Sequence, residues 1–163
     1  MTTIQTLLFE HNEAVLRIYQ EGLQTAQATF ETEVPSWETW NNYHHRHSRL
    51  VAIEEGKVVG WAALSPFSAR TCYNGVAELS IYIAEERRGN GIGSLLMEAM
   101  IKESEANRIW TLYSSTFESN VSSIKLQKKW GFRVIGYRER IARLGDTWHN
   151  TVMLERRSNK VVL

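Results

Sequence analysis

The chain contains a single cysteine and only two prolines among 163 residues. Lone Cys72 cannot close an internal disulfide, which suits a reducing compartment. No apolar run approaches the roughly 18 residues of a membrane span. The opening residues Met1-Thr2-Thr3-Ile4-Gln5 lack the charged and apolar regions of a signal peptide. A cytoplasmic location is therefore expected. Charge of one sign is also missing: 19 Lys and Arg against 18 Asp and Glu leave a net charge of +1. Nucleic acid and membrane surfaces are thus not expected partners, and any anion site must be local. No repeat, low-complexity tract or Pro/Gly-rich linker divides the sequence, so residues 1–163 are expected to form a single domain.

What is present alternates between two periodicities. Residues 3–9 predict a strand, and 11–24 carry Ala14, Val15, Ile18 and Leu23 at helical spacing. A loop, Thr29-Phe30-Glu31-Thr32-Glu33, precedes a Trp- and His-rich helix over 36–48. Residues 50–53 and 58–65 predict a hairpin about Glu54-Glu55-Gly56-Lys57. After a loop at 66–75 comes the strand 76–83, then a helix over 92–106, a strand over 109–115 and a helix over 120–130. Two strands joined near Gly145-Asp146 fill 132–156. The order βααβββαβαββ predicts an α/β fold with a mixed, central twisted sheet of about six to seven strands flanked by helices.

The most informative segment is Arg88-Gly89-Asn90-Gly91-Ile92-Gly93. A strand runs into glycines, and the glycines open a helix. Glycine lets the backbone approach a ligand closely, and the free N–H groups of a helix start attract an anion. Arg88 adds a full positive charge, so a diphosphate fits. A P-loop needs Lys and then Ser or Thr after its last glycine, but Gly93 is followed by Ser94 and Leu95. A dinucleotide fingerprint needs G-x-G-x-x-G and an acidic residue about 20 positions on. The spacing here is G-x-G-x-G, and Ile109-Trp110-Thr111-Leu112-Tyr113 carries no acid. A third pattern fits: Arg or Gln, two residues, Gly, one residue, then Gly or Ala.

That pattern resembles the signature of the GCN5-related N-acetyltransferase (GNAT) superfamily, and the resemblance extends to the order of elements over nearly the whole chain. Three further segments resemble its phosphinothricin acetyltransferase branch: Thr29–Glu33, Pro66–Tyr73 and Ala77–Ile83. The resemblance implies the acetyltransferase fold, acetyl-CoA as co-substrate with no metal, and a homodimer. It implies that Arg88, Gly89, Asn90, Gly91, Ile92, Gly93 and Ser94 hold the pyrophosphate. The backbone of Ile81, Tyr82 and Ile83 is expected to pair with the pantetheine arm as a further strand would. Asn120 is expected to contact pantetheine, with Ser123 as a weaker contact. A helix N-cap suits Asn120 equally well.

Acetyl transfer to an amine needs a base, since an ammonium has no lone pair, and help for the departing thiolate. Glu78 interrupts an otherwise apolar strand, where burial would raise its pKa and make it a better base. The resemblance points to the same residue, although a strand glutamate facing solvent or a cation reads identically. In Leu126-Gln127-Lys128-Lys129-Trp130-Gly131-Phe132, Gln127 stands where many relatives carry an acidic phenol. The leaving-group step then falls to water or to an unprotonated thiolate. Arg70 suits a substrate carboxylate, and Phe30 and Tyr73 suit the pocket wall, whereas Trp37 reads as packing. His44 and His47 would share a helix face, but no suitable carboxylate or cysteine lies nearby, so no metal is expected. The expected reaction is acetylation of the α-amine of a small amino-acid-like substrate of phosphinothricin or methionine sulfoximine type. The alternatives are a protein N-terminus or other amine, or a non-catalytic acetyl-CoA sensor.

Overall fold

The structure is a computed structural model that describes residues 1–161. Its elements are β1 (Thr3–Thr6), α1 (Asn12–Gln24), α2 (Trp37–Tyr43), β2 (Arg49–Glu54), β3 (Lys57–Pro66), β4 (Val76–Ile83), α3 (Ile92–Ala106), β5 (Thr111–Phe117), α4 (Val121–Lys129), β6 (Arg133–Leu144) and β7 (Thr147–Arg157). One seven-stranded sheet runs β1-β2-β3-β4-β5-β7-β6. Every neighbouring pair is antiparallel except β4 and β5. That exception follows from connection length: β4 reaches β5 only through α3, a crossover long enough to return the chain to the same end. The β2–β3 hairpin closes on Glu55 and Gly56, both at positive φ, as a two-residue turn between right-twisted strands requires.

The two faces of the sheet hold separate cores. On one, Ile92, Leu96 and Met100 of α3 are buried at intervals of one turn against Ala62, Leu64, Ala77, Leu79, Leu112 and Leu154. On the other, Val15 and Ile18 of α1 and Trp40 of α2 pack on Val51, Trp61 and Ala63. Alternation along β4 assigns its residues. Ala77 and Leu79 face α3, while Tyr82, and with it Glu78 and Ser80, faces the side of α1.

Two elements are shorter than the sequence predicts. β1 ends at Thr6, and Phe9–His11 forms a 3-10 turn. α2 ends at Tyr43, so His44 and His47 do not share a helix face, which corrects the expectation from their spacing. Arg49 takes the chain out of the helix. Its buried guanidinium donates to the carbonyls of His45 (2.5 Å), Asn41 (2.7 Å) and His44 (3.0 Å) and to Asn41 Oδ1 (2.6 Å). Four acceptors on one cation outweigh the few tenths of a kcal/mol of helix propensity in the Asn-Tyr-His-His run.

His44 itself is buried, stacked on Trp40 with centroids 4.1 Å apart, and its Nδ1 lies 2.7 Å from the Trp40 carbonyl. Burial lowers its pKa from 6.5 to about 4; the Trp40 bond opposes this, and the charges of Arg49 and His45 add to it. The folded value lies below the unfolded one, so the unfolded chain takes up the proton first. This contribution to stability is complete above pH 6.5 and is lost as pH falls toward 4. Urea denaturation should find the chain roughly 2–3 kcal/mol less stable at pH 4.5 than at pH 7.5 from this group. His44→Phe should remove most of that difference; an equal loss in the variant would place its origin elsewhere.

Candidate active site

β4 and β5 run side by side for only three residue pairs: Val76 with Thr111, Ala77 with Leu112 and Glu78 with Tyr113. Beyond Glu78 they part. β4 continues to Ile83 against β3 alone, and β5 continues to Phe117 against β7 alone. The inner edge of Leu79–Ile83 is left without a strand partner in the middle of a sheet. An extended ligand bearing amides fits such an edge, because buried main-chain groups need partners. Ile81, Tyr82 and Ile83 all lie on it. Tyr82 is fixed from the other side by α1. A Cβ at Gly22 would sit 2.6 Å from its ring carbons, so only glycine lets the helix lie this close. Trp61 stacks on the same ring at 5.0 Å.

The glycine segment follows the free edge directly. Gly89 and Gly91 have φ of +76° and +81°, and a Cβ at either would point into open space. Both are therefore glycines for conformation, with room above them. Gly91 is the N-cap of α3, and no side chain caps the helix. Leu95 is the first residue whose N–H reaches a carbonyl, that of Gly91 at 3.3 Å, leaving the N–H groups ahead of it directed outward. Asn90 does not extend into the opening: its Nδ2 donates to the carbonyls of Arg87 (3.1 Å) and Arg88 (3.0 Å), which stiffens the turn. Arg88 is exposed beside it, with Nε 3.4 Å from the Ile83 carbonyl. Ile92 is buried, so only its backbone is presented. Ser94 accepts from Lys129 (3.0 Å) and Trp130 (3.4 Å), joining the start of α3 to the end of α4.

Glu78 stands where the strands part, on the face of α1. It is half-buried with no basic partner among the described salt bridges, and burial pushes its pKa above the ordinary carboxylate value. On the same face of β5 lie Tyr113, Ser115 and Phe117. Ser115 is exposed because β4 has left β5 before that point, and the gap leaves a depression in the sheet surface. Aromatic groups close both ends of it. At one end Tyr113 meets Phe67 (5.2 Å), Phe67 meets Tyr73 (5.7 Å), and the Arg70 guanidinium lies over the Tyr73 ring (5.6 Å). At the other Phe30 packs on Phe117 (4.6 Å), and His149 stacks on Phe117 (4.3 Å). A cavity of about 340 Å³ beside His149 is lined by Gln27, Glu118 and Trp148 among others. Phe30 and the Arg70–Tyr73 pair therefore sit at opposite ends of one depression. Trp37 stacks on Trp40 (4.9 Å), away from it, as packing.

The sequence reading missed Ser115 and did not place Tyr113 and His149. No signal in the run Thr111-Leu112-Tyr113-Ser114-Ser115-Thr116-Phe117 singles out Ser115, because its neighbours Ser114 and Thr116 are equally polar and yet buried.

α4 closes the opposite face. Asn120 is its N-cap, accepting from the Ser123 N–H (3.3 Å), and its Nδ2 lies 3.4 Å from the Gln27 carbonyl. Ser123 Oγ and Thr116 Oγ1 accept from Gln127 Nε2, at 3.1 and 2.9 Å. Gln127 is buried, so the residue in the expected acid position is tied to β5.

Residues 12–132 match the acetyltransferase (GNAT) family. YwnH of Bacillus subtilis, provisionally named a phosphinothricin acetyltransferase, is 33% identical over 91% of this chain and 96% of its own length. A phosphinothricin N-acetyltransferase of Streptomyces coelicolor is 32% identical over 80% of this chain and 82% of its own. The crystal structure of a GNAT superfamily phosphinothricin acetyltransferase from Sinorhizobium meliloti in complex with AcCoA superposes with a TM-score of 0.85. It shares 28% identity and covers 96% of this chain and 88% of that one.

The φ of +81° at Gly91 is a testable constraint. Gly91→Val should weaken acetyl-CoA binding roughly tenfold, since a β-branched residue resists the left-handed region by about 1–2 kcal/mol. Isothermal titration measures this; unchanged affinity would remove the glycine turn from the donor site.

Proposed function

Because the chain belongs to the acetyltransferase (GNAT) family, we propose that it acetylates the α-amine of a small amino-acid-like substrate, of phosphinothricin or methionine sulfoximine type, with Glu78 as general base. The chain is an acetyl-CoA-dependent N-acetyltransferase. The observation that carries the finer reading is Glu78: a half-buried carboxylate without a basic partner, where the open edge of β4 meets the depression over Ser115.

In this reading the two substrates approach from opposite sides of the sheet opening. Arg88 and the N–H groups of Gly89–Ser94 hold the pyrophosphate. The free edge of Leu79–Ile83 holds the pantetheine arm, with Asn120 and Ser123 at its other side. Arg70 pairs with the acceptor carboxylate, and Tyr73 and Phe30 wall the acceptor. Glu78 takes a proton from the ammonium, directly or through one water, and the free amine attacks the thioester carbon. The C–N bond forms as the C–S bond breaks, the electron pair leaves with sulfur, and the second proton on nitrogen passes to water. Burial of Glu78 favours its protonated form, which brings its basicity closer to that of the amine it serves.

The exposed apolar side chains of Val134, Ile135, Tyr137 and Ile141 on the outermost strand β6 support a homodimer. The exposed lone thiol of Cys72 supports a cytoplasmic location. Among the described residues no helix is long and apolar enough to cross a membrane.

Thiol release measured with free amino-acid analogues tests the acceptor. Turnover of phosphinothricin or methionine sulfoximine is expected, and inactivity toward every small zwitterion would overturn the assignment. Glu78→Gln should lower kcat by about a hundredfold or more with acetyl-CoA affinity unchanged. Since the base must be ionised, wild-type kcat/KM should fall as pH drops through the raised Glu78 pKa, and this limb should vanish in the variant. Light scattering should find a dimer that Ile141→Glu converts to monomer.

A further inference from the structure

We propose that Ser123 donates a hydrogen bond to the coenzyme A sulfur as the thioester breaks, and that Gln127 holds the serine hydroxyl in position for it. The inference rests on the acetyl-transfer reading above and assigns the step for which the sequence offers no acid.

The observations are geometric. Gln127 is 4% exposed. Its Nε2 spends both protons inside the protein, on Thr116 Oγ1 at 2.9 Å and on Ser123 Oγ at 3.1 Å. Its Oε1 is buried and has no partner. Thr116 Oγ1 also shares a 2.9 Å hydrogen bond with Ser114 Oγ. A side chain so committed cannot turn to serve the reaction, and an amide is no acid. What it does is fix Ser123. The serine N–H is bound by Asn120 Oδ1 at 3.3 Å, and its Oγ accepts from Gln127. Among the described residues no acceptor takes the Ser123 hydroxyl proton. The hydroxyl is thus filled on its acceptor side and free on its donor side. Accepting a hydrogen bond also strengthens its own donation.

The fold places that free donor beside the opening. Ser123 and Gln127 lie one turn apart on one face of α4, toward Thr116 of the diverging strand β5. The same helix touches the first turn of α3. A Cβ at Gly93 would lie 3.1 Å from Leu126 Cδ2, and Lys129 and Trp130 both reach Ser94 Oγ. The helix that carries Ser123 therefore packs both on the start of α3, beside the phosphate turn, and on the stretch of β5 that has parted from β4. An arm bound at the turn and along β4 brings its sulfur past α4 before it reaches the level of Glu78.

The chemistry sets the role. When the neutral amine adds and the C–S bond breaks, the electron pair goes to sulfur; Glu78 already holds the first proton, taken from the ammonium, and the second proton on nitrogen passes to water. An alkyl thiol ionises near pH 8.5, whereas a hydroxyl is far less acidic. Ser123 therefore keeps its proton and stabilises a thiolate that leaves as the anion; solvent protonates it afterwards. A donor aimed at charge that appears only in the transition state lowers the barrier without tightening ground-state binding. Ser123 touches the reacting atom, whereas Gln127 acts through it and is a positioning residue.

The test titrates coenzyme A bound to the full chain, read by the ultraviolet absorbance of its thiolate, alongside steady-state kinetics. In the wild type the bound thiol should ionise below the pH of the free thiol. Ser123→Ala should raise the bound value by about one pH unit and lower kcat roughly ten- to hundredfold. Ser123→Thr should recover both. Gln127→Met should move both in the same direction by less, and circular dichroism checks that each variant is folded. Identical thiol ionisation in wild type and folded Ser123→Ala overturns the serine role. Gln127→Met indistinguishable from wild type overturns the positioning role. Failure of the wild type to bind coenzyme A is a different result: it overturns the acetyl-transfer reading and this proposal with it.

Discussion

Everything in the site depends on β4 and β5 being parallel and parting after three pairs. Parallel strands carry their chain to the same end of the sheet, so the helices that follow, α3 and α4, both begin at that end. Open sheets bind ligands beyond the carboxyl ends of parallel strands, where such helices begin. Here the divergence does more than leave a crevice. It strips one strand edge of its partner while β3 still holds the other, so the edge is both unsatisfied and rigid. Gly22 lets α1 brace Tyr82 from one face, and Gly91 starts α3 without a side chain in the way.

Glu78 belongs to the last pair before the strands part, and its position serves both sides of the sheet. One residue further along, the side chain would point toward α3 and the apolar core of Leu79 and Leu96. Where it is, the carboxylate faces the depression between the Tyr73 and Phe30 clusters. Its backbone neighbours form the open edge. In the proposed reaction, a strand entering a split lets one carboxylate reach both reactants.

The sequence made some of this plain for physical reasons. Helix α3 was legible to the residue, because an apolar stripe from Ile92 to Met100 follows glycines that cannot continue a strand. The glycine turn ahead of α3 was legible because Gly89 and Gly91 mark left-handed backbone locally. The end of α2 was not, because the Arg49 contacts that end it span up to eight residues and outweigh a weak propensity. Asn120 remained ambiguous in sequence, and the structure finds it capping α4. Phe30, Arg70 and Tyr73 read alike in the sequence as acceptor residues; the separation of the Arg70–Tyr73 pair from Phe30 arises from sheet order, which spacing does not encode. The fate of Gln127 was likewise hidden, since its partner Thr116 lies on another element.

The two halves of the site are made of different material. The donor half is largely main chain: a strand edge, a helix start and glycine conformations. The acceptor half is side chains carried by the segments around Phe30 and Arg70, outside the sheet. Drift in those segments changes which amine is welcomed while the donor half stays intact. Backbone recognition is also indifferent to most substitutions along β4, provided the strand is kept. A chain built this way can change its mouth without rebuilding the donor half, and in the proposed reading new acceptor preferences lie few substitutions from the present one.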